Sequence, residues 1–473
     1  MTGQSRRRML LGAGGLAVAG VTGALFPGTA GATVGSAEWG KLSSLLRGKL
    51  VLPEDREYHA AKALFDPRFD GNMPLGVVQA ATPEDVQAAM VFAREHGLPV
   101  AARAGGHSFV GASATSGALI IDVRRLDRIT AHGDQVTVGA GTTIAAVQDA
   151  LAPLGSTLPL GMCRTVGVAG LTLGGGVGVE VRGYGLTCDR LVSAEVVLPS
   201  GGVKRATATT APELFWALRG AGGGTGIVTS LTYHTCPAMP KDIARLSFPV
   251  DRAARVLDGW AQWMPTADRG VYARFEVAAA DDLRCEVLVV SPGGGGAKAV
   301  AGLLDAAATR PSAEDRRTLL YLDAMRELDR EKPKPRTTRI AGSDVVAEIT
   351  PAAAELIVDV ILDRARSGAV GRVLIEPLDG AVGEIATGET AFPWRDHAAC
   401  LEWIVNTPDP PEEAHRWILS ANRAVSAISA GAFFNHVQPT DTGRRCFAGN
   451  LPRLEHIRQT LDPDRRLRWG IKD

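Results

Sequence analysis

Along residues 83–95, PEDVQAAMVFARE, apolar side chains recur every three to four positions, Pro83 opens the run, and Glu84 and Asp85 stand in its first turn. That spacing predicts a helix. Short apolar runs at 98–102, 118–123 and 136–139 follow and read as strands. Beyond residue 244 the pattern changes. Segments 271–277 (VYARFEV), 285–290 and 373–377 read as strands, and 297–308, 351–366 and 411–428 carry helical spacing between them. The charged, proline-containing segment 329–338 reads as a surface loop. The expected organisation is α+β: a first domain at 39–240, a second built on an antiparallel sheet at 241–430, and a compact segment at 431–473.

A chain of 473 residues exceeds what one hydrophobic core serves, which agrees with two or more domains. Lys plus Arg and Asp plus Glu are equal at 51 each, and no basic run follows the first ten residues. A protein that tracks nucleic-acid phosphates needs a basic stripe, so that class is excluded. With 45% hydrophobic and 22% charged residues, the composition is that of a soluble globule, neither disordered nor multi-spanning. The six cysteines are scattered without a C-x-x-C pair, which suggests no zinc site or other metal centre and no dense disulfide framework.

The amino terminus reads as an address. Ser5-Arg6-Arg7-Arg8 precedes a glycine-diluted apolar stretch ending near Phe26, and Ala30-Gly31-Ala32 gives an A-x-A cleavage site. The paired arginines point to a twin-arginine export signal over 1–32, and so to a secreted or cell-envelope protein with no stable membrane insertion after cleavage. Gly12-Ala13-Gly14-Gly15-Leu16-Ala17 also fits G-x-G-x-x-A. Arginines stand where that motif needs a preceding strand, so it reads as a decoy.

Glycine, 55 of 473 residues, concentrates in three blocks. Arg103-Ala104-Gly105-Gly106-His107-Ser108, with Gly111 further on, follows a strand, and its adjacent glycines can converge backbone N–H groups on a pyrophosphate. Alone, such a string is more often a tight turn with a structural histidine. The second block runs from Gly161 through Cys163, Val166, Gly167, Gly170, Gly174 and Gly175 to Gly178. The third ends in Gly226-Ile227-Val228 and enters a strand. Glycines at this density disfavour helix and strand alike and suggest backbone lying against a large ligand.

These blocks, in this order, resemble the PCMH-type FAD-binding domain of the vanillyl-alcohol-oxidase-like flavoproteins, in particular the berberine-bridge-enzyme-like branch. Asn435, Gly449-Asn450, Arg453-Leu454 and Leu461-Asp462-Pro463 resemble that branch's carboxy-terminal segment. The resemblance implies a two-lobed FAD-binding domain at 39–240, a substrate domain over the flavin, and a terminal segment that returns to the first domain. It implies FAD held by the residues named in the three blocks and by Asn435. It further implies covalent bonds from His107 to the flavin 8α-methyl carbon and from Cys163 to C6, where a neutral imidazole and a thiolate are the nucleophiles required.

The implied reaction is hydride transfer from a substrate carbon to flavin N5, with a protein base and reoxidation by dioxygen to hydrogen peroxide. Its substrate would be a small molecule: an alcohol, a sugar or a secondary metabolite. Alternatives are a redox-tailoring or oxidative-cyclising enzyme of natural-product biosynthesis, or a flavin carrier without turnover. One departure matters. Where relatives read Tyr-x-Asn-Tyr, with the first Tyr near the reacting carbon, this chain reads Phe433-Phe434-Asn435-His436. Substitutes for the missing phenol are Glu402, Glu376 and Tyr272, in that order, because a carboxylate raised in pKa by burial can act as base.

Overall fold

The computed structural model describes residues 34–280, 282–330, 336, 338–406 and 411–471. The expected signal at 1–32 lies outside them, as does much of the 329–338 segment.

The helix expected at 83–95 forms over Pro83–Glu95. Thr82 accepts a hydrogen bond from the Asp85 amide while the Asp85 side chain reaches back, so two amides that the helix cannot satisfy are capped. Its apolar face, Val86, Ala89, Met90 and Ala93, is buried. That face joins one core with two five-stranded sheets. In the first, Gly76–Gln79, Leu119–Asp122 and Val100–Arg103 run parallel, with Lys49–Val51 antiparallel at one edge. All four residues of the central Leu119–Asp122 strand are buried, as a parallel strand covered on both faces requires. At the other edge Leu467–Arg468 adds a parallel strand beside Val100–Arg103, so the carboxy terminus returns to the first sheet. The second sheet is antiparallel throughout and contains Gln135–Gly139, Leu191–Val197 and Ile227–His234.

From Lys241 to Gly431 the chain builds one eight-stranded antiparallel sheet. Alternation divides its faces. Phe275, Val287, Val373, Ile375, Leu401 and Trp403 point to one side, under the helices Ala253–Trp263, Gly296–Ala307, Pro351–Arg366 and Pro411–Ala424. The other side meets the first domain through an apolar interface that includes Met162, Val179, Leu288, Phe392 and Phe433. The polar residues of that second face are the ones that can meet a ligand held by the first domain.

Two local features differ from expectation. Ala313–Leu319, AEDRRTL, is a strand although nearly every residue is exposed. It is an edge strand made by backbone pairing with Lys241–Phe248, so no apolar alternation announces it. Within the second glycine block, Val168–Leu173 forms a short helix despite Gly170, because Val168, Ala169, Thr172 and Leu173 are buried against the core. All six cysteines are free thiols, and only Cys163 is not buried. Among the described residues no helix is long and apolar enough to cross a bilayer.

Candidate active site

A cavity of about 330 Å³ runs between the glycine blocks and the polar face of the eight-stranded sheet. Its first-domain wall is backbone from Gly105, Gly106, Gly167, Gly170 and Gly226 together with Ser108, Val166, Ile227 and Val228. The first two blocks touch there. A Cβ on Gly105 would lie 2.4 Å from the Gly167 amide nitrogen, so the loops close this wall only as glycines. Asn435 lines the cavity and donates to the Leu171 carbonyl at 3.0 Å, which ties the terminal segment to the second block.

One end of the cavity holds His107 and Cys163. Phe65 stacks on the His107 ring at 4.2 Å between centroids. The Thr165 hydroxyl lies 3.2 Å from His107 Nε2 and 3.5 Å from Cys163 Sγ, so both side chains meet one oxygen. Burial, opposed by a smaller hydrogen-bond effect at the Thr165 backbone and aided by the Arg339 charge, lowers the His107 pKa to about 4. The imidazole is therefore neutral at physiological pH.

The sheet contributes Glu376, Glu402, Arg274 and Arg339 to the opposite wall. Glu402 pairs with Leu374 and Glu376 with Cys400 across adjacent strands, so the two carboxylates share a face one step apart. Arg339 donates to Glu402 Oε1 at 2.9 Å, and His436 Nε2 is 3.7 Å from the same oxygen. Glu376 accepts from the Tyr272 hydroxyl at 2.7 Å. Tyr272 is fully buried, and burial, reinforced by the Glu376 charge, pushes its pKa well above 10.

Six expected contact residues stand behind the cavity wall instead of on it. Arg103 is buried in an ion pair with Asp122 at 2.6 Å, which fixes the end of its strand. Gly111, Gly174, Gly175 and Gly178 make room for Phe69, Asn435, Phe392 and the Leu160 carbonyl, respectively. Tyr272 sits one layer behind Glu376, and its protonated hydroxyl positions that carboxylate. Phe433, at the place of the usual tyrosine, is buried and meets Phe392 edge-on at 5.9 Å.

Several lining residues were not anticipated. Arg274 had a signal, because it follows Tyr272 by two positions and so shares its face. Phe109 had one too, standing between Ser108 and Gly111 of the first block. Arg339 and Trp469 had none: each reaches the cavity through tertiary contacts, Trp469 by way of the Leu467–Arg468 pairing. Among the described residues no group of three or more His, Cys, Asp or Glu could hold a metal ion.

Residues 74–207 match the family described as FAD binding domain. Over 438 residues the chain is 28% identical to the FAD-linked oxidoreductase YgaK of Bacillus subtilis, covering 90% of this chain and 96% of that protein. Residues 74–207 are an FAD-binding domain, and over 90% of its length the chain is similar to an FAD-linked oxidoreductase. Solved structures share its fold. BBE-like 1 of Physcomitrella patens superposes with a TM-score of 0.84 at 20% identity, covering 91% of this chain and 98% of that one. Glucooligosaccharide oxidase of Acremonium strictum, described with a 6-S-cysteinyl, 8α-N1-histidyl FAD, superposes with a TM-score of 0.83 at 21% identity, covering 91% and 97%.

The residues of this flavoprotein fit FAD on their own geometry. A glycine-backbone wall suits a long phosphorylated ligand. The 8α-methyl carbon and C6 lie on one edge of the flavin ring system, and His107 and Cys163 lie together at one end of the cavity, joined through Thr165. Bound there, FAD would supply hydride acceptance and electron transfer to a second substrate.

Proposed function

We propose that this flavoprotein is an oxidase of an uncharged, polyhydroxylated small molecule of the sugar class, with FAD bonded to His107 and Cys163 and dioxygen reduced to hydrogen peroxide. The observation that carries the reading is the pair of carboxylates on the sheet face across the cavity from the glycine wall. On the sheet face two arginines and two carboxylates meet that space, a locally balanced set suited to hydroxyl groups, while the cavity's third arginine, Arg468, comes from the carboxy-terminal strand beside Val100–Arg103. The name of the Acremonium strictum neighbour supports a sugar, and its flavin supports the two attachment sites.

Glu376 is the base in this reading. Its carboxylate is held by a tyrosine that stays protonated, and it can take the proton from a substrate hydroxyl while the adjacent carbon gives up hydride. Glu402, already charge-paired with Arg339, is better suited to orient a second hydroxyl. Glu376→Gln should lower kcat on the best sugar by about 100-fold or more with the flavin retained, whereas Glu402→Gln should act mainly on KM. Peroxide formation with a panel of oligosaccharides and simple alcohols is the assay. If no sugar supports turnover while an aromatic or polycyclic metabolite does, the natural-product alternative takes its place.

The attachment is tested by acid precipitation. The wild-type chain should retain FAD by mass, and His107→Ala or Cys163→Ala should each retain it through the remaining bond. Export through the twin-arginine route belongs to the same proposal, supported by residues 5–32 of the sequence. Substituting Arg6, Arg7 and Arg8 together by Lys should hold the unprocessed chain in the cytoplasm.

A further inference from the structure

The loop that carries Cys163 is set with unusual completeness. Val166 N–H closes a turn on the Cys163 carbonyl at 3.2 Å. The carbonyls of Arg164 and Val166 accept from Ala145 and Ile144, at the start of the helix Ile144–Leu151, each at 2.9 Å. The Arg164 amide donates to Asp329 at 2.9 Å. Between these pinned neighbours, Thr165 turns its hydroxyl to His107 Nε2 at 3.2 Å and to Cys163 Sγ at 3.5 Å. The thiolate that attack on flavin C6 requires of Cys163 can only accept, so in that state the hydroxyl gives its hydrogen to Sγ and takes one from Nε2–H, which leaves Nδ1 unprotonated. A hydroxyl that accepts from Nε2–H has its own hydrogen to spare, and Cys163 Sγ is its other partner at 3.5 Å.

We propose that Thr165 is the positioning residue for flavin attachment: it fixes His107 as the Nε2–H tautomer, with the Nδ1 lone pair as nucleophile, and holds the Cys163 sulfur beside it. The inference rests on the covalent attachment proposed above. In the histidyl step one Nδ1–C8α bond forms, and one methyl C–H and the imidazole Nε2–H bond break. The electron pair left by the C–H bond stays on the flavin, which is reduced by two electrons. Dioxygen then takes the two electrons and two protons as hydrogen peroxide. The cysteinyl step has the same balance: one S–C6 bond replaces one S–H and one C6–H, and a second dioxygen is the acceptor. Thr165 enters neither product. It sets which nitrogen attacks, and the Nε2 proton leaves on its side.

Apoprotein refolded with FAD in air, wild type against Thr165→Val and Thr165→Ser, separates the possibilities. Total bound flavin, acid-stable flavin and intact mass are followed with time. The wild type should gain both bonds, and Thr165→Ser, which keeps the hydroxyl, should attach at a rate within a few-fold of it. Thr165→Val, of the same shape, should bind flavin and melt as wild type does, yet attach at least tenfold more slowly. Should the added methyl impair flavin binding, Thr165→Ala removes the hydroxyl without bulk and carries the same expectation. Attachment of both bonds at the wild-type rate in Thr165→Val or Thr165→Ala overturns the role of Thr165 and leaves the covalent reading standing. Wild-type protein whose FAD is wholly released by acid overturns the covalent reading, and this inference with it.

Discussion

His107 shows how one side chain acquires its chemistry from its surroundings. An imidazole is a nucleophile only when neutral, and with an ordinary pKa near 6.5 half of it would be protonated in mildly acidic solution. Burial, with Arg339 adding to it, lowers the value here to about 4, so protonation is postponed to that pH. The attachment rate at His107, read in a Cys163→Ala background, should therefore stay level from pH 8 to about pH 5 and fall only towards pH 4. A decline centred on pH 6.5 would place the ring in a far more solvated setting. The nucleophiles were legible in the sequence because the glycine blocks that carry them resemble a known arrangement. Thr165 was not, since its role comes from a distance between two blocks that are remote in sequence. The base candidates were legible as residue types on strands, but their ranking depends on neighbours. Arg339 sits on Glu402 and Tyr272 on Glu376, and neither pairing follows from alternation.

At the scale of elements, the glycine blocks act as pairs of surfaces. Gly105 and Gly167 approach so closely that an added Cβ would meet backbone on the other loop, and backbone cannot swing aside as a side chain does. Gly105→Ala should force the loops apart by about 1 Å, destabilise the protein by roughly 1–3 kcal/mol as an overpacked site does, and reduce flavin retained after purification by more than that loss implies. Thermal unfolding and bound-flavin content measure the two effects. Density of glycine was visible in the sequence, whereas the division between residues that line the cavity and residues that let loops pack behind it was not. Gly174 is an example: its missing side chain is replaced by Asn435, brought from the far end of the chain. The strand Ala313–Leu319 makes the complementary point, because a strand held by backbone pairing at an edge needs no apolar pattern.

Across the whole molecule, the site exists only while the sheet stays seated on the first domain, and a few buried charges hold it there. Arg182, from the second glycine region, donates to both Asp379 oxygens at 2.8 and 3.0 Å and to the carbonyls of Met264, Asp268 and Val271 at 2.6–2.8 Å. It thereby satisfies the end of the Ala253–Trp263 helix region and the approach to the strand that carries Tyr272 and Arg274. Arg395 makes a second such link, with two 2.8 Å bonds to Asp189. Arg182→Met keeps much of the bulk but leaves a carboxylate and several carbonyls without their partner, a loss on the order of 3 kcal/mol. Because those groups bound the substrate side and not the glycine wall, the defect should appear first as a loosened sheet. Hydrogen exchange should rise in the strand Tyr272–Ala279 before it rises in Val100–Arg103, and acid-stable flavin should persist while turnover falls. Equal loosening of both strands would mean that the domains unfold as one unit, and that the link serves overall stability instead of the seating of the substrate face.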